Sequence, residues 1–146
     1  MVIVMILNIA IGLFILLESL NIILLYFKPN FKYGNSMYAF KEYDDFDKNS
    51  DDFLLVDYLV NWVAGTKLIF IGLLLVILIY GNDNIKVLSL IILILTVSSY
   101  FFRLSKIIKK MDKKNLIQPK GYYKILNSMI LSFILFFIIA IIIYYI

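Results

Sequence analysis

The chain has 146 residues, of which 63% are apolar or aromatic and 16% charged. A soluble globular domain is about 45–50% apolar and about 25% charged, so this composition excludes one. The apolar residues fall in four long runs, and the fold class they predict is all-α: a polytopic membrane protein built as a single four-helix bundle. With Cys 0 and His 0, the chain alone has no disulfide, thiolate nucleophile, imidazole base or His/Cys ligand for haem, zinc or an iron–sulfur cluster. No metal and no cofactor is expected.

In chain order, the first predicted helix covers residues 2–27, apolar apart from Asn8, Glu18, Ser19 and Asn21. At 1.5 Å per residue it is long enough for a hydrocarbon core of about 30 Å. It lacks a basic leading region and a small-residue cleavage site, so it does not read as a cleaved signal peptide. A connection over 28–52 follows, opened by Pro29 and Gly34. Within it Met37, Phe40, Tyr43 and Phe46 recur every third residue, the pattern of a short helix or turn on the membrane interface with its acids in water. The second helix is predicted over 53–80 and the third over 85–104, joined by the turn signal Gly81-Asn82-Asp83-Asn84. A basic loop over 105–121 leads to a fourth helix over 122–146.

Lys and Arg counts in the connections set orientation. The first has Lys28, Lys32, Lys41 and Lys48; the third has Arg103, Lys106, Lys109, Lys110, Lys113, Lys114, Lys120 and Lys124; the second has Lys86 alone. This places both long loops in the cytoplasm and both termini outside a cell membrane. The six acids of the first loop count little in this rule.

With that topology the polar residues of all four helices, Asn8 and Ser89 excepted, fall in their cytoplasmic halves. Several share a face. Ser89, Thr96, Ser99, Arg103 and Lys106 make one helical stripe, Lys124, Ser128 and Ser132 another, and Asp57, Asn61, Gly65 and Gly72 a third. Polar groups in membrane helices face the bundle interior or a water-filled cavity. The pattern therefore predicts a polar chamber open to the cytoplasm, with Glu18, Asn21, Asn61, Lys67, Thr96, Ser99, Arg103, Asn127 and Ser128 as candidate ligand-binding residues. The plainer reading is that Ser, Thr and Asn bond between helices as packing glue.

Glu18 and Lys67 are the least expected residues, because an ionised side chain near the bilayer centre costs about 2.5–3.5 kcal/mol on insertion scales. Glu18 lies about 13 Å from the cytoplasmic end of its helix and Lys67 about 9–21 Å from the start of the next. The depths overlap and the helices are sequential neighbours, so the two are expected to meet. The pair reads either as a neutralising bridge that fixes register, or as a site in which Glu18 takes a proton or cation and Lys67 anchors a carboxylate, phosphate or quinone oxygen.

The third loop places Lys106, Lys109, Lys110, Lys113 and Lys114 beside the membrane. They are either a topogenic signal or a dock for anionic headgroups or an acidic partner. The partners expected are an anionic lipid surface and a membrane-protein partner or second copy. Nucleic acid is not expected, because the basic stretch abuts membrane segments.

The stretches IAIGLFILLESLN (9–21) and VAGTKLIFIGLLLVILIYG (63–81), followed by an apolar third helix, make the chain similar to the DoxX-like group of small four-helix membrane proteins. The resemblance implies an accessory subunit of membrane redox or stress-response complexes, in which this chain's part is scaffolding or quinone contact. A membrane Glu in the first of four helices is also similar to small multidrug exporters. The functional expectation is an accessory subunit or lipid/quinone-binding module, with no catalytic residue assigned. The alternative is an oligomeric proton-coupled transporter using Glu18. A lipid-acting enzyme with Asp44, Asp45 and Asp47 at a cation is a third reading, although their spacing is not that of an EF-hand.

Overall fold

A computed structural model describes residues 2–32 and 35–146; Gly34, expected to punctuate the first connection, and the Asp44 side chain lie outside what it describes. The helices are α1 (Val2–Phe27), a one-turn α2 (Glu42–Asp45), α3 (Asp51–Tyr80), α4 (Asp83–Ser98), α5 (Leu104–Lys113) and α6 (Tyr122–Tyr145). Four helical stretches are long and apolar enough to cross a membrane: Met5–Phe27, Asp51–Tyr80, Asp83–Lys113 and Tyr122–Tyr145. The protein is an all-α, four-helix membrane bundle. Among the described residues the only extended pairing is one antiparallel bridge, Phe40 to Ile117.

Local chemistry sets the helix starts. Ser50 caps α3 by accepting a hydrogen bond from the Phe53 amide at 3.1 Å, and Asn82 caps α4 by accepting one from Ile85 at 3.0 Å. Asp51, Asp52 and Asp83 occupy the first turns, where the helix dipole favours negative charge. The hairpin between α3 and α4 needs Gly81, because a Cβ there would collide with the Ile77 carbonyl oxygen. The 30 residues of α3 extend about 45 Å, longer than the hydrocarbon. The acidic first turn therefore stands clear of the hydrocarbon, and the exposed, stacked Tyr58 and Trp62 (6.2 Å between ring centroids) fall where amphipathic rings favour the interface.

Helix α1 is the hub, packing on α3, α4 and α6. Its Leu7, Ala10, Ile11, Phe14, Ile15, Ile22 and Leu25 form the largest share of the core. Phe14 meets Phe70 of α3 and Phe133 and Phe137 of α6 edge-to-face, at 6.0, 5.4 and 5.4 Å between centroids. This aromatic knot joins three of the spanning helices at one level, and T-shaped pairs contribute roughly 0.5–1.5 kcal/mol beyond area burial.

Two expectations are corrected. The stretch 105–121, expected as a loop, is helical over Leu104–Lys113, and within the third spanning stretch the regular α-helix ends earlier than expected, at Ser98, followed by a 3₁₀ turn at Ser99–Phe101. The Thr96 hydroxyl donates to Ile92 and Leu93 carbonyls and the Ser99 hydroxyl to Thr96. Such back-bonding competes with the helical ladder and bends it, and Arg103 (φ −130°) then turns the chain into α5. A left-handed Asn115 (φ 59°) ends α5, with Leu116 N–H bonded to Met111 and Asn115 N–H to Asp112, the paired closure of a Schellman motif.

The segment of Met37, Phe40, Tyr43 and Phe46 forms a short turn and a single helical turn, as its spacing predicts: a 3₁₀ turn at Met37–Ala39, a bridge residue and the single turn α2. It packs on the bundle end because its backbone finds partners in the other long connection. Lys41 N–H donates to Leu116, Gln118 N–H to Ala39 at 2.8 Å, and the Gln118 side chain to Tyr38. Beneath this seam Ala39, Ile108, Ile117, Tyr122 and Leu126 form a second apolar core. The two long connections thus make one cap over one end of the bundle, here the cap end; the Gly81–Asn82 turn marks the hairpin end.

Candidate functional site

Glu18 and Asn21 are three residues apart on α1 and so share a face; Lys67 faces them from α3. The Lys67 ammonium donates to Glu18 Oε2 at 2.7 Å and to Asn21 Oδ1 at 2.6 Å. Asn21 Nδ2 in turn donates to the Asn35 carbonyl at 2.8 Å. One amide side chain therefore ties the charged pair to the cap. The side chains of Lys67 and Glu18 keep 28% and 24% of their surface exposed, so neither is sealed in the core. Among the described residues no partner is shown for Glu18 Oε1, and the ammonium has a third N–H to give.

Three recesses adjoin this trio. One, of about 550 Å³, is walled by Lys67 with Trp62, Val63, Thr66 and Phe70 of α3 alone; the other two also include Asn21. The second, of about 400 Å³, lies between α1, α3 and the cap and is lined by Lys67, Asn21, Asn35, Ser36, Met37 and Val60 among others. The third, of about 250 Å³, lies between α1 and α6 and is lined by Glu18, Asn21, Leu24, Asn35 and Met129 among others. The cation and the anion of the pair thus open on different sides of α1, with Asn21 and Asn35 common to the second and third recesses. The arrangement offers a fixed ammonium and a carboxylate oxygen beside apolar walls, suited to holding the polar end of an amphiphile. Among the described residues no group of His, Cys, Asp or Glu is placed to hold a metal ion.

The remaining candidate residues do not join this trio. Asn61 donates to the Asp57 carbonyl of its own helix at 2.9 Å; Thr96 and Ser99 likewise bond within their own helix and are exposed. Ser128 is exposed and its carbonyl accepts from Ser132. Arg103 is exposed at the start of α5. The expected single polar chamber is therefore divided, because a hydroxyl or amide one turn from a backbone carbonyl satisfies itself locally. Asn127 belongs to a separate cluster, its Oδ1 accepting from Tyr100 at 3.1 Å and Ser105 at 3.0 Å. This cluster joins the 3₁₀ turn, α5 and α6.

Lys106, Lys109, Lys110, Lys113 and Lys114 lie exposed on α5 and its cap, and Lys109 stands 5.8 Å from the centre of the Tyr123 ring, within cation–π range. The opposite side of α5 carries Leu104, Ile107, Ile108 and Met111. Their spacing of three, four and seven residues is an amphipathic signal that the density of lysines conceals.

Three features have no precedent in the sequence reading. Asp112 is buried, and its two carboxylate oxygens accept from the Gly121 amide at 2.9 and 3.1 Å, pinning α5 to the left-handed Gly121 (φ 86°) that starts α6. Lys86 is 7% exposed at the hairpin end. The Asn8 side-chain oxygen is buried and without a hydrogen-bond partner among the described residues. The cues were slight: Asp112 as the one acid in a basic run, Asn8 as a polar residue in an apolar helix and Lys86 as the lone cation of its connection.

The fold and the intramembrane ion pair define an integral membrane protein with a charged, half-open contact between its first two spanning helices. Comparison with protein-family models, curated proteins and solved structures finds no match for the chain.

Proposed function

We propose that the protein is a non-catalytic membrane subunit or binding module whose site is the Glu18–Asn21–Lys67 trio, taking the polar end of a lipid or quinone. The observation that carries this reading is the opening of Lys67 and Asn21 onto a recess of about 400 Å³ with otherwise largely apolar walls. A purely structural bridge has no need of a vacant space beside its ammonium. An oxygen acceptor entering that space meets a partly buried ammonium, and hydrogen bonds to charge contribute roughly 1.5–3 kcal/mol. The resemblance to DoxX-like proteins is in keeping with a subunit role.

The membrane assigned is the cell membrane, with the cap in the cytoplasm and both termini outside, by the distribution of basic residues. A proton-coupled transporter acting through Glu18 is the competing reading. The closed core at the hairpin end, where Leu7, Ile11, Ile71, Leu74, Leu90 and Phe137 pack together, speaks against a path through one protomer.

The test is native mass spectrometry of the protein extracted gently from its own membrane. The expected result is a heteromeric complex or a defined lipid or quinone adduct, with the adduct reduced at least tenfold in Lys67→Met. A bare homodimer without adduct, together with transport that Glu18→Gln abolishes, would overturn the module reading in favour of the transporter.

A further inference from the structure

Another recess, of about 680 Å³, runs between α1 and α6. Its walls come from Leu13 and Leu17 of α1 and from Met129, Phe133 and Phe136 of α6, and the sole charged residue lining it is Lys124. Lys124 sits in the first turn of α6, at the cap end. From Lys124 to Phe136 is twelve residues, about 18 Å of helix. Half of a hydrocarbon core is about 15 Å, so the recess extends from headgroup level to the bilayer midplane, the depth of one leaflet.

The chemistry along it is graded in the same way. Lys124 is exposed and able to extend its ammonium toward the headgroups. Below it, the Ser132 hydroxyl, one of the two lining the recess, donates to the Ser128 carbonyl at 2.9 Å and so offers little to a polar ligand. Phe133 and Phe136 close the deep end. A cation at the mouth, dry walls and the length of one leaflet match an anionic phospholipid: phosphate on Lys124, one acyl chain along the α1/α6 seam. We propose that this recess is a specific seat for such a lipid, distinct from the Glu18–Lys67 trio. The two are neighbours, since Leu17, Met129 and Phe133 also line the smaller recess that ends at Glu18. A seated chain therefore covers the Glu18 side of α1 and leaves the Lys67 side free.

The full chain is reconstituted in vesicles of equal phosphatidylglycerol and phosphatidylcholine, extracted gently, and its retained lipid counted by native mass spectrometry. The expected result is one phosphatidylglycerol per chain. Lys124→Gln is expected to lower its retention about fivefold, the effect of one lysine near an anionic surface. Ser132→Phe, which fills the recess from an exposed position, is expected to abolish it. Lys28→Gln, an exposed lysine at the same end of the molecule, is expected to leave it unchanged. Equal retention of phosphatidylcholine, or retention indifferent to both Lys124→Gln and Ser132→Phe, would overturn the proposal. So would a lipid lost in Lys67→Met but kept in Lys124→Gln, which places it at the ion pair, or a dimer that Ser132→Phe dissolves without loss of lipid.

Discussion

At the residue scale the chain concentrates its cost in one contact. Removing one member of a buried ion pair costs about 3–5 kcal/mol; with about a quarter of each side chain exposed, Lys67→Met is expected to cost roughly 1–3 kcal/mol. The double variant Glu18→Leu with Lys67→Leu is expected to be more stable than the sum of the single changes by at least about 1 kcal/mol, because it leaves no orphan charge. Reversible unfolding in mixed micelles measures the cycle. Additive effects would mean that each charge is solvated on its own and that the bridge contributes nothing. Asn21 has a different part. It bonds both the ammonium and the Asn35 carbonyl, so its loss loosens the cap without removing a charge.

At the element scale the cap explains why two polar connections stay in place without a soluble domain. Three exchanges between segments 38–41 and 116–118 satisfy backbone groups that the short apolar core under them would otherwise bury unpaired. Asp112 is the fixing point between α5 and α6, where its carboxylate holds the Gly121 amide. Hydrogen bonds to charged groups contribute roughly 1.5–3 kcal/mol. Asp112→Ala is therefore expected to release α5 while the spanning helices remain folded. Trypsin would then cut at Lys113, Lys114 or Lys120 at least tenfold faster, with unchanged helical content of the membrane-protected fragments. Cleavage at the wild-type rate would show that the cap seam alone holds α5.

At the scale of the whole molecule, α1 holds the bundle together while α3 packs almost entirely on α1 and leaves Leu68, Ile69, Leu73, Val76 and Ile79 exposed. In a bilayer this surface is solvated by lipid tails and costs nothing, unlike an equal patch in water. Orientation is the property of the whole that is most directly tested, since Cys 0 makes every introduced thiol unique. Asn82→Cys is expected to react with a membrane-impermeant maleimide in intact cells, and Lys48→Cys and Lys114→Cys only after permeabilisation. The reverse pattern would invert the topology drawn from the basic residues.

The four spans and the meeting of Glu18 with Lys67 were legible in the sequence, because both follow from one-dimensional quantities. Apolar run length sets a span at 1.5 Å per residue, and the expense of an intramembrane charge makes a partner at equal depth nearly obligatory. The polar chamber was not legible, because periodicity says which residues share a face but not whether Thr96, Ser99 and Asn61 reach across helices or back to their own carbonyls. Tertiary structure alone decided that Asn21 completes the charged trio, that the two long connections form one cap, and that Asp112 ties α5 to the start of α6 at Gly121. The cap seam, the Asn21–Asn35 bond and the Asp112–Gly121 bond depend on backbone groups brought together from distant parts of the chain, and a backbone group carries no mark in the sequence.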